Sequence, residues 1–242
     1  MMPVLAADWP IPLPPVSLPG RLVCLEHLSQ GRFPELLTFA GNTEIWRYLA
    51  SRPKTPGLMR AYVDGLVRDY ASGAAMPFVV RLQSSGEIAG ITRFKNLSRE
   101  HRKALVGSWY APGTWGSGCN TEGKLLLLKY GFESLGCLRI EFQVDSRNQR
   151  SAAALVRMGA VEEGTLRSYI LTGDGYRRDS IIFSVLDSEW PEVERKLKVR
   201  LEEQLKLFRP QMNTDEHRQY QALPGFRYRP ASHPPSPWPI LA

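Results

Sequence analysis

The chain has 242 residues, of which 43% are hydrophobic and 23% are charged, a balance typical of a globular protein whose core needs neither disulfides nor metal. Its three cysteines, Cys24, Cys119 and Cys137, are widely spaced without a CxxC pair, which argues against a disulfide framework or a zinc site and favours the reducing cytoplasm. A net charge of +7 fits either plain solubility or attraction to a polyanion, such as a nucleic acid or the phosphates of a nucleotide cofactor. No apolar run approaches the roughly 20 residues of a membrane span, so the sequence predicts no membrane association.

The N-terminal segment, residues 1–19, is rich in proline and is predicted to be a surface arm. It lacks a basic n-region, and prolines interrupt its apolar residues, so we interpret it as an extended leader rather than a signal peptide. Residues 20–208 then read as one domain. Its first elements are a short strand at 21–25, a helix beginning near Gln30, and a second short helix capped by Asn42 or Thr43.

A third helix is predicted from Pro56 to about Gly73, because proline suits a first helical turn and glycine a helix end. Its predicted apolar face consists of Leu58, Tyr62, Leu66 and Tyr70. Three strands follow at 77–83, 87–97 and 104–110, and their short links predict an antiparallel meander.

The second half of the domain alternates helices and strands. A strong helix at 120–135 leads into a strand at 138–145, a helix at 148–159 that ends at Gly159, and a hairpin at 161–186. A last amphipathic helix opens at Asp187 or Ser188 and runs to about Phe208. Because crossovers between parallel strands are right-handed, the pattern predicts an α+β fold with a mixed sheet. The proline-rich stretch at 209–242 is predicted to be disordered or to lie on the surface.

The segment most informative about chemistry is VGSWYAPGTWGSGCNTEGKLLLL, where a strand ends, a loop with Gly113, Gly116 and Gly118 follows, and a helix begins at once. Glycines permit close approach of a ligand, and helix N-terminal amides attract anions, so the pattern indicates a pyrophosphate site. A plain strand-to-helix turn is the alternative. The spacing fits neither GxGxxG nor GxxxxGK[ST], which excludes the dinucleotide and P-loop motifs.

The two glycines at 116 and 118 resemble the GxG of the acetyl-CoA loop, Q/RxxGxG/A, in the GNAT superfamily of N-acetyltransferases. NQRS at 148–151, then Gly159, Glu163 and Gly164 extend the match. GYRRDSIIFSVLDSEWP resembles the ending of the RimJ/RimL-like group, and the whole resemblance covers roughly residues 20–200. It implies a GNAT fold, with a mixed, mostly antiparallel central sheet flanked by helices and splayed between strands four and five.

The resemblance implies acetyl-CoA as co-substrate and no metal. Its pantetheine arm would lie between the strand end at 108–111 and the strand at 138–145, with the pyrophosphate against the glycine loop. The implied contacts are Ser108, Trp109, Tyr110, Ala111, Trp115, Gly116, Ser117, Gly118, Cys119, Asn120, Asn148 and Ser151. Asn148 is equally suited to a helix N-cap. Arg147, Arg150 and Arg157 are candidates for the phosphates, with a solvated basic face as the alternative for at least two of them.

Several positions depart from the family pattern. Gly113 stands where the loop motif has Gln or Arg, and Leu155 where many members have a tyrosine that protonates the leaving thiolate. Leu105 and Ile170 occupy the two positions where a glutamate base is familiar. The resemblance to RimL-like proteins leaves Ser151 as the candidate general acid.

Catalysis can still follow from positioning, with the backbone amide of Tyr110 polarising the carbonyl and water relaying the proton of the amine. Candidate acceptor residues are Trp46, Tyr48, Arg93 and Phe94, with core packing or surface charge as the alternative. Glu44 could be a base or a helix-dipole partner. Cys119 lacks a nearby base, which argues against a ping-pong role.

The sequence thus favours transfer of acetyl from acetyl-CoA to a primary amine, of a protein N-terminus or a small molecule, by direct attack in a ternary complex. One alternative is a catalytically silent CoA-binding sensor or assembly module, favoured by the empty acid and base positions. Another is a nucleic-acid or ribosome binder, favoured by the net charge and the basic stretch at 195–209, and it ranks behind the enzyme. A homodimer is possible.

Overall fold

The computed structural model describes residues 9, 10 and 12–212, with the side chains of the last helix described up to residue 207. The predicted C-terminal extension lies outside the described residues, except for 209–212. The chain divides into a compact unit at 1–205 and a second unit from 206, of which only residues 206–212, the end of the last helix, are described. The boundary predicted after residue 208 stays a prediction.

The described part of the chain forms one eight-stranded sheet in the order β1-β2-β3-β4-β5-β6-β8-β7. The strands are β1 Ser17–Pro19, β2 Val23–His27, β3 Ala75–Leu82, β4 Ile88–Ser98, β5 Lys103–Tyr110, β6 Arg139–Asp145, β7 Val161–Leu171 and β8 Arg177–Leu186. Only β5 and β6 pair in parallel, and every other neighbouring pair is antiparallel. The predicted meander, mixed sheet and hairpin are confirmed.

Six α-helices are described: α1 Phe33–Leu36, α2 Thr43–Trp46, α3 Pro56–Ala71, α4 Cys119–Lys129, α5 Gln149–Met158 and α6 Trp190–Met212. The helix predicted near Gln30 is only one α turn, flanked by the 3-10 turns Gln30–Arg32 and Leu37–Phe39. Asn42 rather than Thr43 caps α2, because its side chain accepts from the amides of Glu44 and Ile45. A π-helical turn, Tyr130–Ser134, extends α4 close to its predicted end.

The predicted apolar face of α3 is correct only in part. Met59, Val63 and Leu66 are the buried residues of this helix, whereas Leu58 is 52% exposed. A strict spacing of four residues drifts by about 40° at each step around a helix of 3.6 residues per turn, so such a row leaves the core-facing stripe. Leu66 belongs to both sets, and Tyr62 is partly buried against the same core.

Hydrophobic cores lie on both faces of the sheet. Phe78 packs in one core with the inner faces of α4, α5 and α6, whereas its neighbour Val79 packs in the other with α1, α2 and α3. Successive strand residues point to opposite faces of the sheet, so alternate residues of a strand pack in alternate cores. Along β4, Ile91 belongs to the α3 side and Phe94 to the α4 side.

The described part of the predicted N-terminal arm is not a free surface segment. Trp9 and Leu13 are buried in the α4-side core, and the indole nitrogen of Trp9 donates to the carbonyl of Leu135 at 2.8 Å. The hydroxyl of Tyr70 donates to the carbonyl of Leu13 at 2.7 Å, and β1 pairs with β2. Prolines favour extended backbone without preventing burial of the apolar residues between them, which is why proline content misled the prediction.

The parallel pair β5–β6 opens into a wedge. Its pairing runs from Lys103 opposite Arg139 to Val106 opposite Phe142 and stops there. Beyond that point β5 follows β4 as far as Tyr110, while β6 follows β8. The predicted splay between strands four and five, which are β5 and β6 here, is confirmed.

Candidate functional site

A cleft of about 450 Å³ fills the wedge between β5 and β6. We call the end where the two strands part, at Gly107, the apex, and the end near the glycine loop the mouth. Residues from α2, β4, β8, α5 and α6 complete the walls. The cleft therefore collects side chains that are far apart in sequence around two strands that no longer pair.

The loop at the mouth needs its glycines. Gly116 has φ +83° and Gly118 has φ +95°, both in the left-handed region that glycine adopts without a steric penalty. Gly118 caps α4 without a side-chain hydrogen bond, so the first amides of α4 begin directly after the loop. A Cβ on Gly116 would meet nothing within 4 Å, which shows open space over that residue.

Helix α6 crosses the loop, a contact that the sequence did not predict. The side-chain amide of Gln204 donates to the carbonyl of Gly116 at 3.2 Å and accepts from the hydroxyl of Thr121 at 2.7 Å. A Cβ on Gly118 would lie 3.3 Å from the side chain of Leu201. Arg200 lines the cleft on the same helix and has no ion-pair partner within the described residues. The amphipathic pattern predicted this helix, but no local signal shows where it docks.

The arginines after β6 have different partners. Arg147 makes two hydrogen bonds to Asp145, at 2.7 and 2.9 Å, and lies 3.7 Å from the ring of Tyr176. Arg150 lies 3.5 Å from the ring of Trp115, a residue whose indole donates to the carbonyl of Tyr110 at 3.0 Å. This contact bridges the two sides of the mouth. Arg157 lines the cleft.

The exposed edge of β5 faces the wedge. The amide of Ala111 donates to Ala89 of β4 at 2.7 Å. Because amides alternate in direction along an antiparallel strand, we expect those of Ser108 and Tyr110 to face β6, where pairing has ended. The hydroxyl of Ser108 is held by Thr92 at 2.7 Å.

The side chain of Tyr110 packs away from the chemistry. Its hydroxyl is buried against Gly123 and has no hydrogen-bond partner in the described part of the chain. Burial raises the pKa of Tyr110 well above its ordinary value, with smaller effects from Cys119 and Glu122. Only the backbone of Tyr110 is therefore suited to a catalytic role.

The start of α5 combines capping with lining of the cleft. The side-chain oxygen of Asn148 accepts from the amide of Ser151 at 3.1 Å, so the helix-cap interpretation is confirmed. Both residues also line the cleft, as does Leu155 one turn further on. The structure thus leaves room for the two roles of Asn148.

Three predicted contacts in the loop do not line the cleft. Ala111 and Ser117 turn toward local backbone partners, with the hydroxyl of Ser117 donating to Thr114 at 2.7 Å. Cys119 is a buried free thiol whose pKa is raised, chiefly by burial. The remaining predicted cofactor residues, Ser108, Trp109, Tyr110, Trp115, Gly116, Gly118, Asn120, Asn148 and Ser151, all line it.

Among the predicted acceptor residues, Trp46, Tyr48 and Arg93 line the cleft. Phe94 does not, because it points to the opposite face of β4 and is fully buried in the α4-side core. Trp46 lies 5.1 Å from the ring of Trp109, and together they form an aromatic wall.

The sequence interpretation missed several polar residues of the cleft, namely Lys95, Lys124, Gln143, Arg178 and Arg200. The alternation of β4 could have found Lys95, since it lies two residues after Arg93 and so on the same face. Burial lowers the pKa of Lys124 to about 8. For Arg178 and Gln143 the register of β6 and β8 had to be known first.

The chain matches the family described as Acetyltransferase (GNAT) domain over residues 22–161, more than half of its length. It is 29% identical to YdaF of Bacillus subtilis (strain 168), which bears the name of a ribosomal N-acetyltransferase, over 146 residues that make up 60% of this chain and 78% of YdaF.

Solved structures agree. One described as an acetyltransferase from T. thermophilus is 36% identical, with a TM-score of 0.71 over 77% of this chain and 97% of that one. Mycobacterium smegmatis RimJ in complex with CoA-disulfide is 24% identical, with a TM-score of 0.65 over 77% of this chain and 92% of that one, and shares the fold.

A mixed sheet that splits between its parallel strands, a glycine loop at the mouth of the split and the match to this family together identify an N-acetyltransferase. The chain belongs to the GNAT acetyltransferase family, and the predicted likeness to its RimJ/RimL-like group is confirmed. No helix in the described part of the chain has the length and apolarity to span a bilayer. The same residues contain no group of three or more His, Cys, Asp or Glu placed to hold a metal ion.

Proposed function

We propose that this protein transfers the acetyl group of acetyl-CoA to a primary amine by direct attack within a ternary complex. The single observation that carries the proposal is the wedge, in which an unpaired edge of β5 runs from the apex to a glycine loop at the N-terminus of α4. The cytoplasm stays the predicted location.

The residues present fit a CoA-type co-substrate. The pantetheine arm offers amide groups that can pair with the free edge of β5 near Ser108 and Tyr110, as a neighbouring strand would. A pyrophosphate suits the open space over Gly116 and the first amides of α4. Arg150 and Arg200, which line the mouth without ion-pair partners in the described residues, would neutralise phosphate charge.

Acetyl-CoA supplies an activated thioester, and the protein supplies position and polarisation. The sequence assigned carbonyl polarisation to the amide of Tyr110. The amide of Ser108 fits this role better, because it lies nearer the apex and the pantetheine arm, which comes from the mouth, would pair with Tyr110 on the way. The Ser108 amide would donate to the carbonyl oxygen and stabilise the negative charge that grows there during attack. The amine nitrogen then forms a bond to the carbonyl carbon, the carbon–sulfur bond breaks, and the thiolate gains a proton while the amine loses one. Holding the two reactants together supplies much of the rate.

One residue is a candidate for the acid that protonates the leaving thiolate. Ser151 lines the cleft in the first turn of α5 and would protonate the leaving thiolate, while water would carry away the proton of the amine. Leu105 and Leu155 are buried apolar residues at positions where other members hold acids or bases. We therefore expect a modest rate that rises with pH as the free amine is deprotonated.

The acceptor would enter from the side of α2, between Trp46, Tyr48 and Arg93. A small amine or a flexible protein N-terminus would fit such an opening. The name given to YdaF, which refers to ribosomal N-acetylation, supports a protein N-terminus as one acceptor class to test.

The direct test is turnover. The purified protein, acetyl-CoA and a panel of small amines and N-terminal peptides should release free CoA thiol and give acetylated amine detected by mass spectrometry.

Ser151→Ala should lower kcat about tenfold or more while the KM for acetyl-CoA changes little, since loss of general-acid catalysis typically costs this much or more. Ser146→Ala, a serine at the end of β6 that does not line the cleft, is the matched control. Absence of turnover on the whole panel would contradict the proposal.

A silent CoA-binding module is the second candidate, favoured by the apolar residues Leu105, Leu155 and Ile170 at the familiar acid and base positions. Such a module would bind acetyl-CoA and release no thiol. The nucleic-acid alternative loses support, because Arg195, Lys196 and Lys198 on α6 form ion pairs with glutamates of the same helix. The homodimer stays a prediction.

A further inference from the structure

The charge of the cleft is strongly one-sided. In the described part of the chain one acidic side chain, Glu44, lines it. Seven cationic side chains do so, namely Arg93, Lys95, Lys124, Arg150, Arg157, Arg178 and Arg200. The phosphates of CoA account for cations near the mouth, so those at the apex need another explanation.

Arg93 and Lys95 converge at the apex. Measured from where a Cβ would stand on Gly107, the Cε of Lys95 lies at 3.6 Å and the Nε of Arg93 at 3.8 Å. Gly107 is the first residue of β5 beyond the last pair with β6. Four residues separate it from Ala111, about 13 Å at roughly 3.3 Å per residue, so these cations lie far from the phosphate end.

Arg178 joins them from β8. Its side chain is only 6% exposed, its Nε has no hydrogen-bond partner within the described residues, and its one hydrogen bond there goes to the carbonyl of Tyr48 at 3.4 Å. Asp145 is 4.0 Å away, but both of its oxygens already accept from Arg147. Arg178 is thus a buried cation whose one carboxylate neighbour among the described residues, Asp145, is shared with Arg147, and an anion from a ligand would stabilise it further.

Two of the three cations have lowered pKa values. The pKa of Lys95 is lowered to about 8, first by burial and then by the charges of Arg93 and Arg178. Burial also lowers the pKa of Arg178. Lys95 is thus destabilised by its two cationic neighbours in the free protein, and an anion placed beside it would relieve that repulsion.

We propose that Arg93, Lys95 and Arg178 form an anion subsite at the apex, and that the preferred acceptor is an amine carrying a carboxylate. The inference rests on the proposed acetyl transfer, because it assigns the apex to the acceptor. A carboxylate fits better than a larger anion, because the apex lies where two strands are only beginning to part. Its source is either a free amino acid or an acidic residue near a peptide N-terminus.

The test measures binding of acetylated products, which have no titrating amine, in the presence of CoA. Calorimetry would compare three matched pairs: N-acetylalanine with its amide, N-acetylated 4-aminobutyrate with its amide, and an N-acetylated tetrapeptide with Glu or Gln at its second position. For at least one pair the carboxylate should bind the wild-type protein about tenfold tighter or more, as a charge-assisted hydrogen bond allows. The first two pairs report a small acceptor and the third a peptide.

Variants connect this preference to the three cations. Lys95→Met and Arg178→Met should each bring the two members of the responding pair to within about threefold of one another, since the charge-assisted contact is lost. Arg177→Met is the matched control, because Arg177 neighbours Arg178 on β8 but is exposed and does not line the cleft. Lys95 forms no ion pair within the described residues, so Lys95→Met keeps the test valid if Arg178→Met fails to fold.

Three results would overturn the subsite, and two of them come from binding. One is equal binding of carboxylate and amide in all three pairs, and the other is a preference that survives both variants. Failure of the proposed function is visible separately, as absence of thiol release from acetyl-CoA with the corresponding free amines. Acetylation of the amides as fast as the carboxylates would leave the transferase standing and remove the subsite.

Discussion

The two ends of the cleft are built in different ways. The mouth consists of consecutive residues: a strand end, a loop with two left-handed glycines, and the first turn of a helix. The apex collects side chains from β4 and β8, strands that β5 and β6 separate in the sheet, so no local stretch of sequence shows that they line one cleft. The mouth therefore depends on backbone geometry and the apex on side chains. In our proposal the co-substrate binds at the first and the carboxylate of the acceptor at the second.

The largest expected effect concerns the support of the mouth. The buried carboxylate of Glu122, in the first turn of α4, accepts hydrogen bonds from the amides of Arg21, Leu22 and Val23. Glu122→Ala should lower the free energy of unfolding by about 3 kcal/mol or more, because buried amides lose charged acceptors. Denaturant unfolding measures this, with Glu162→Ala on an exposed stretch of β7 as control. A loss as small as that of the control would show that the mouth does not depend on this anchor.

A smaller effect would separate the mouth from the apex. Arg200→Ala should weaken acetyl-CoA binding about tenfold, as expected for one charge-assisted contact to phosphate, and leave binding of the acetylated carboxylates unchanged. Arg195→Ala, on the exposed side of the same helix and paired with Glu192, should have no effect. If Arg200→Ala instead weakened carboxylate binding, the division of the cleft into two ends would be wrong.

The smallest effect is a pH dependence confined to the apex. Lys95, with a pKa of about 8, is faced by Arg93 from β4 and Arg178 from β8, and Glu44 lines the same cleft from α2. Below pH 8 Lys95 is charged, and above it the charge is lost, so carboxylate binding should weaken as pH rises, by at most about tenfold per unit. Calorimetry between pH 6.5 and 9.5 would show this, and Lys95→Met should flatten the curve. A wild-type affinity that stays constant or rises above pH 8 would exclude Lys95 from the subsite.

The sequence predicted residues of the mouth better than residues of the apex. Gly116 and Gly118 could be predicted because the loop, the strand before it and the helix after it are contiguous. The prediction that Phe94 contacts the acceptor was wrong, because successive residues of β4 point to opposite faces: Arg93 faces the cleft and Phe94 faces the core. Arg177 and Arg178 are adjacent, and only the pairing of β8 shows that the second points inward.

The sequence also did not predict contacts between segments that lie far apart in the chain. Gln204 reaches the carbonyl of Gly116 across 88 positions of sequence, and Trp9 reaches Leu135 across 126. Helical periodicity predicts that a face of α6 is buried but not which loop it covers. Proline content likewise described the local backbone of the N-terminal segment and gave no sign of its burial.

The most direct test of the central claim is acetyl-CoA binding by calorimetry to the wild-type protein, Gly116→Asn and Gly116→Asp. Asn and Asp have nearly the same shape and both tolerate a positive φ, so they differ mainly by a negative charge placed where the pyrophosphate would lie. We expect binding by the wild-type protein, a modest loss in Gly116→Asn, and a further loss of about tenfold or more in Gly116→Asp, because a like charge would lie at close range. No binding by the wild-type protein, or equal binding by the two variants, would contradict an acetyl-CoA site at this loop.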